Sequence, residues 1–223
     1  MRISIFESVS FFELRISDLT GEGAPTIKSP RSRLERGTLI AAVHRAEDWP
    51  KRPLAAVAFG GRSNVGKSSL LNRLIGADAA RTSKTPGRTQ GVYLYESGEG
   101  WVAADLPGFG FAKTSRESRA LWKELAGDFF HERPPLLTVQ LIDPRIPTSD
   151  YDLDFRDFLH DLRLASIVVA TKADRLNQSD RSGAARRMEK DFGPLLFVSV
   201  KNGEGIELLR KQIRQALAGR GRE

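Results

Sequence analysis

The sequence contains no cysteine and only three histidines. The first absence excludes a disulfide scaffold, a thiolate zinc site and a cysteine nucleophile. The second makes a histidine-rich metal site a poor fit. No run approaches the roughly 18 uninterrupted apolar residues of a bilayer span, so no membrane segment and no membrane partner are expected. The opening MRISIFESVSFFELRISDL does not read as a secretory signal, because Glu7 and Glu13 interrupt the apolar region that such a signal needs. A cytoplasmic location is the expectation. What is present is core-forming material. Of 223 residues 40% are hydrophobic, which excludes wholesale disorder and allows one substantial domain with an extension.

The net charge of +7 points to a polyanionic partner, and its placement says more than its size. Residues 1–50 balance seven basic against seven acidic side chains, and residues 91–174 are acidic on balance. The excess lies in residues 62–90, with six basic side chains against one acidic, and in residues 175–223, with eleven against six.

Residues 1–37 are rich in Gly, Pro, Ser and charge toward their end, and read as a poorly ordered extension. From Thr38 the pattern becomes regular. Apolar runs at 54–59, 92–95, 101–104, 138–142, 167–171 and 195–199 predict six strands. Glu96-Ser-Gly-Glu-Gly100 marks a hairpin between the second and third. Helical periodicity at 67–75, 115–131, 150–163, 179–192 and 204–218 alternates with the strands. The alternation predicts an α/β fold, a mostly parallel six-stranded sheet with helices on both faces.

The first buried run is followed at once by Gly61-Arg62-Ser63-Asn64-Val65-Gly66-Lys67-Ser68, a match to GxxxxGK[ST]. Glycines let the backbone turn so that successive N–H groups face phosphate oxygens, and a helix beginning at Lys67 aims its positive end at the same anion. Lys67 then reaches the β- and γ-phosphates, and the Ser68 hydroxyl is placed to ligate Mg²⁺. Asp105-Leu106-Pro107-Gly108 ends a strand as DxxG; its carboxylate suits Mg²⁺ through water, and the Gly108 N–H suits a γ-phosphate. Thr171-Lys172-Ala173-Asp174 matches [NT]KxD, where a carboxylate accepts from the guanine N1–H and exocyclic amine, donors that adenine does not offer together. Ser199-Val-Lys201 fits a loop backing the base. Each motif falls at the carboxyl end of an expected strand, where ligands bind in open α/β sheets. Between the first two motifs, residues 80–90 are basic and Gly/Pro/Thr-rich. A hydroxyl from this segment would complete Mg²⁺ coordination, with Thr82, Thr85 and Thr89 as chemical candidates.

Together GRSNVGKSSLLNRL at 61–74, RTSKTPGRTQ at 81–90, DLPGFGFAK at 105–113 and TKAD at 171–174 resemble the EngB-type GTPases, within the Era/TrmE-like group. Asp143-Pro-Arg-Ile-Pro is similar to that family's Asp-x-Arg-x-x-Pro strand end, with the proline spacing one residue shorter. The resemblance covers residues 38–218 and implies a Ras-like P-loop GTPase fold there, leaving 1–37 as an extension and 219–223 as a tail. It implies GTP and GDP as ligands, Mg²⁺ held by Ser68 and Thr89, and Lys67, Thr89 and Gly108 as the catalytic set. Gly87, Arg88, Thr89, Gln90 and Gly91 would line the nucleotide, and Phe197, Val198 and Ser199 would lie beside the guanine. It further implies a monomeric switch acting on a large ribosomal subunit precursor, rRNA and proteins, and needed for cell division and septation. Phe109 stands where Ras-type enzymes carry a water-orienting Gln, so slow intrinsic hydrolysis is expected. Asn64 either coordinates K⁺ near the phosphates or stabilises the loop turn. Arg81, Lys84, Arg88, Arg186, Arg187, Arg210, Lys211 and Arg214 are candidate contacts to RNA phosphates. A non-hydrolysing guanine-nucleotide sensor or scaffold is the alternative function.

Overall fold

A computed structural model describes residues 37–52, 54–76, 91–108 and 126–219. The expected extension and tail, residues 77–90, and Phe109 with the rest of 109–125 lie outside the described residues.

Among the described residues seven strands form one sheet: β1 (Thr38–Val43), β2 (Ala56–Gly61), β3 (Val92–Glu96), β4 (Val102–Asp105), β5 (Leu137–Ile142), β6 (Ser166–Ala170) and β7 (Leu195–Phe197). Their spatial order is β1-β3-β4-β2-β5-β6-β7. β4, β2, β5, β6 and β7 run parallel, and β3 is antiparallel to both β1 and β4. The mostly parallel sheet and the hairpin are as the sequence predicts, but the strand count is one higher. The additional strand is β1. It lies at the sheet edge, carries a bulge between Leu39 and Ala41, and exposes its first two residues. Leu39–Val43 is itself an unbroken apolar run, so the local pattern does not distinguish this bulged edge strand from the central ones.

The helices are α1 (Lys67–Ile75), α2 (helical at 126–132 among the described residues), α3 (Asp150–Asp161), α4 (Gln178–Phe192) and α5 (Ile206–Gly219). Side chains alternate along the central strand and so supply both faces of the sheet. Val57 and Phe59 pack with Leu70 and Leu74 of α1 and with Leu209 and Ile213 of α5. Ala56 and Ala58 face the other way, toward Phe129 and Phe130 of α2 and Phe155 and Leu159 of α3. Met188 of α4 covers Val168 and Ala170 on that same face. Both layers are buried, which is why the central strands read as unbroken apolar runs. Among the described residues no helix is long and apolar enough to cross a membrane.

Candidate functional site

The parallel strands deliver every motif to one edge of the sheet. Reading across it, Asp105 ends β4, the phosphate loop follows β2, Asp143 follows β5, Thr171 follows β6 and Ser199 lies just beyond β7. Adjacent pairing enforces this: Phe59 sits opposite Asp105, Gly61 opposite Leu141, and Ile142 opposite Ala170.

β2 runs two residues further than the apolar run suggests, so Gly61 is its last residue. Gly61 has φ 156°, and a Cβ there would stand 2.6 Å from the Leu141 carbonyl oxygen. The neighbouring strand thus leaves no room for a side chain. Asn64 takes a left-handed conformation, φ 63°, which asparagine tolerates better than most residues. Gly66, φ 107°, turns the chain into α1 and stands at its N-cap without a side-chain cap. No acidic residue occupies the first turn, so the helix's positive end is open toward the loop.

Three braces hold this loop. The Thr171 hydroxyl donates to the Val65 carbonyl at 2.7 Å, with Ile142 O also near at 3.1 Å, and the residue is buried. Lys172 Nζ donates to the Asn64 carbonyl at 2.6 Å. Arg62 lies 4.0 Å from Asp152, the residue whose carboxylate also accepts from Ser149 N and Oγ at the start of α3. The base motif and the phosphate motif, over 100 residues apart in sequence, are therefore one hydrogen-bonded unit.

Lys67 Nζ pairs with the Asp105 carboxylate, and both side chains are buried. The DxxG aspartate thus meets the phosphate-loop lysine directly. Gly108 backs onto the same loop: a Cβ there would stand 3.4 Å from Ser63 N. Leu106 is buried in the core and donates its amide to Phe59 O at 3.0 Å, carrying Pro107 and Gly108 past the end of β2.

On the base side, Ser199 is fully buried, and its hydroxyl donates to Asp174 Oδ1 at 2.6 Å while accepting from Lys201 N and Asn202 N. That bond holds the Asp174 carboxyl below its ordinary range, although the group is exposed. Ala173 N donates to Val198 O at 3.1 Å, joining the two base-side loops. Asp174 is left as an ionised acceptor facing outward. Phe197 packs its ring beneath Arg181, 4.5 Å from the guanidinium, so its backbone rather than its ring adjoins this loop. Gly91 is packed against the Val43 carbonyl and His44 at the head of β3. Gly87, Arg88, Thr89 and Gln90 lie outside the described residues.

Sequence reasoning assigned no role in the site to Asp143, Arg145 or Asp152. Arg145 grips Asp143 through Nε at 2.8 Å and Nη2 at 2.6 Å, and Lys172 Nζ reaches the same carboxylate at 3.0 Å. These residues, with Arg62, Asn64 and Lys172, border a cavity of about 220 Å³ beside the phosphate loop. The available signal was an aspartate directly after the fifth strand, at the same edge as the other motifs.

A family model described as a 50S ribosome-binding GTPase matches residues 56–172, slightly more than half of the chain and the span from β2 to the base motif. A probable GTP-binding protein EngB from Thermotoga petrophila is 38% identical over 177 residues, 77% of this chain and 91% of that one. The chain belongs to the EngB family of GTP-binding proteins. It is a GTPase with the Ras-like P-loop fold. A second EngB relative, from Heliobacterium modesticaldum, is 33% identical over 78% of this chain and 89% of its own length. A crystal structure of a probable GTP-binding protein EngB superposes with a TM-score of 0.61 at 27% identity, covering 74% of this chain and all of that one. The strands and helices described above bring the phosphate and base motifs to one edge of the sheet.

Proposed function

We propose that this EngB-family GTPase works in the cytoplasm as a monomeric switch in assembly of the large ribosomal subunit, and that cell division and septation depend on it. The observation that carries the reading is the bracing of the phosphate loop by Thr171 and Lys172 of the base motif. Occupancy by guanine nucleotide is thereby linked to the loops that flank residues 77–90 and 109–125. In switches of this kind, contacts to the γ-phosphate turn nucleotide state into a surface signal.

In the bound state Lys67 would contact the β- and γ-phosphates, with backbone donors of residues 61–68 around them. The protein donors available for a metal are hydroxyl and carboxylate oxygens, Ser68 directly after Lys67 and Asp105 against its ammonium, a hard oxygen set that fits Mg²⁺. Ser68 and Thr89 would hold the ion, and Asp105 would reach it through water. When bound, Mg²⁺ would supply positive charge that offsets the charge developing on the phosphates. Gly108 would donate its N–H to the γ-phosphate, and Asp174 would read the guanine edge. With Phe109 at the position that orients water in Ras-type enzymes, intrinsic turnover is slow until the ribosomal partner completes the site. K⁺ beside Asn64 is a further expectation, and faster GTP turnover in K⁺ than in Na⁺ buffer is its sign.

The RNA-facing surface differs from the count of basic residues. Arg210 and Arg214 converge on Glu99 in the β3–β4 turn, at 3.3 and 3.8 Å, and Arg210 also donates to Arg73 O. Arg187 is turned toward the Pro144 carbonyl. Arg186 and Lys211 are exposed with no ion-pair partner among the described residues, and they are the better candidates for rRNA phosphates. The test is co-sedimentation with ribosomal subunits from cell extract. Retention on large-subunit precursors with a non-hydrolysable GTP analogue and release with GDP is expected. Equal retention with both nucleotides would overturn the switch.

A further inference from the structure

We propose that Asp143 is a positioning residue for guanine-nucleotide binding, holding Lys172 over the phosphate loop. The inference rests on the reading of residues 61–68 and 171–174 as the nucleotide site. Asp143 follows β5, the strand between the one that carries the phosphate loop and the one that carries the base motif. Its side chain is only 8% exposed, yet its contacts are with charged groups rather than with the core.

The two oxygens divide the work. Oδ1 accepts from Arg145 Nε at 2.8 Å and Arg145 N at 3.2 Å, and Oδ2 accepts from Arg145 Nη2 at 2.6 Å and Lys172 Nζ at 3.0 Å. Lys172 has one other fixed contact, the Asn64 carbonyl at 2.6 Å, and its Cε passes 3.8 Å from the point where a Cβ on Gly66 would stand. The lysine stem is thus laid across the loop that would cradle the phosphates. A free lysine must surrender much rotamer freedom to lie there, and a carboxylate that already holds it removes that cost from the binding step. Burial alone would raise the Asp143 carboxyl. The hydrogen bonds from Arg145 and Lys172 outweigh it and hold the group well below the carboxylate range, so it stays charged at any working pH. The Asp143 carboxylate in turn raises the Arg145 guanidinium above its ordinary value.

Asp143 also closes a local turn through Arg145 N, a purely structural duty. Asparagine separates the two roles. It keeps an oxygen for the turn but replaces the other with an amide donor, which cannot satisfy Lys172 and Arg145 together. GDP and IDP binding would be measured by calorimetry on the full chain, with unfolding midpoints taken alongside. Asp143→Asn is expected to weaken both nucleotides by the same factor, about tenfold, with the GDP-to-IDP ratio and the midpoint nearly unchanged. Asp143→Glu, which keeps the charge, should recover part of the loss, and it serves as the readout if the asparagine variant does not fold. In the double variant with Lys172→Ala, the Asp143 change should add little further loss. Wild-type affinity in Asp143→Asn beside a weakened Lys172→Ala would overturn the proposal alone, as would full additivity of the two. Wild-type affinity in Lys172→Ala would instead remove the site reading on which the proposal stands.

Discussion

Lys172 at the end of β6 and Arg210 on α5 are both basic side chains held by a carboxylate, and the resemblance ends there. Lys172 is fixed between Asp143 and a phosphate-loop carbonyl at the carboxyl ends of parallel strands, where a ligand would meet it. Arg210 is fixed between Glu99, Glu207 and the Arg73 carbonyl on the flank of α5, and those contacts tie helix to hairpin. In sequence Lys172 lies in the span that is acidic on balance and Arg210 in the basic C-terminal one. In the fold one is held against the phosphate loop and the other is a surface tie. A local excess of lysine and arginine identifies a region, but the position of the opposing carboxylates decides which members remain available.

Three substitutions sharpen this contrast, in descending order of effect. Lys67→Met strips a buried carboxylate, Asp105, of its partner. Without nucleotide it should lose about 3–5 kcal/mol of unfolding free energy in a denaturant titration. Hydrolysis should fall by roughly 10²–10³ in kcat, as for loss of a group that stabilises transition-state charge. Adding Asp105→Asn should restore most of the stability and none of the hydrolysis, which separates the structural from the chemical duty of one pair. Thr171→Val keeps the shape and removes the hydroxyl that reaches Val65 O and Ile142 O. A loss of about 1–3 kcal/mol is expected from denaturant unfolding, with faster GDP release seen in a fluorescent-nucleotide chase. Glu99→Gln removes the carboxylate shared by Arg210 and Arg214 on the surface, and should cost at most about 1 kcal/mol. The same variant should elute from a heparin column at slightly higher salt, because Arg214 loses its acidic partner while Arg210 stays tied to Glu207 and Arg73 O. A loss from Glu99→Gln as large as that from Lys67→Met would dissolve the contrast.

How far the sequence reveals this architecture depends on how strong a local signal each part carries. α1 is predicted to the residue, because Lys67 follows a glycine turn and Leu70, Leu71 and Leu74 mark its buried stripe. The central strands are legible because helices cover both their faces. β1 is not among the predicted strands, although Leu39–Val43 is an unbroken apolar run too; its bulge and exposed first residues mark it as an edge strand. Within the site, the backbone of Gly61 and Gly66 and the chemistry of Lys67, Asp105 and Asp174 follow from spacing alone. The bracing does not. That Thr171 reaches Val65, that Lys172 reaches Asn64, and that Asp143 gathers Lys172 with Arg145 depends on strands β2, β5 and β6 lying side by side. No pattern local to any one of them encodes that neighbourhood. The neutralisation of Arg210 and Arg214 by Glu99 is invisible for the same reason, a partner more than 100 residues away.

In the proposed reading, guanine selection would rest on Asp174, held in a loop that Ser199 locks. The direct test is Asp174→Asn, with GDP and xanthosine diphosphate titrated by calorimetry into wild type and variant. The substitution exchanges one acceptor oxygen for a donor amide, which opposes the guanine amine and matches the xanthine 2-carbonyl. GDP affinity should fall by about 10²-fold or more, with xanthosine diphosphate becoming the preferred ligand. An unchanged preference for GDP in the variant would contradict this role for Asp174.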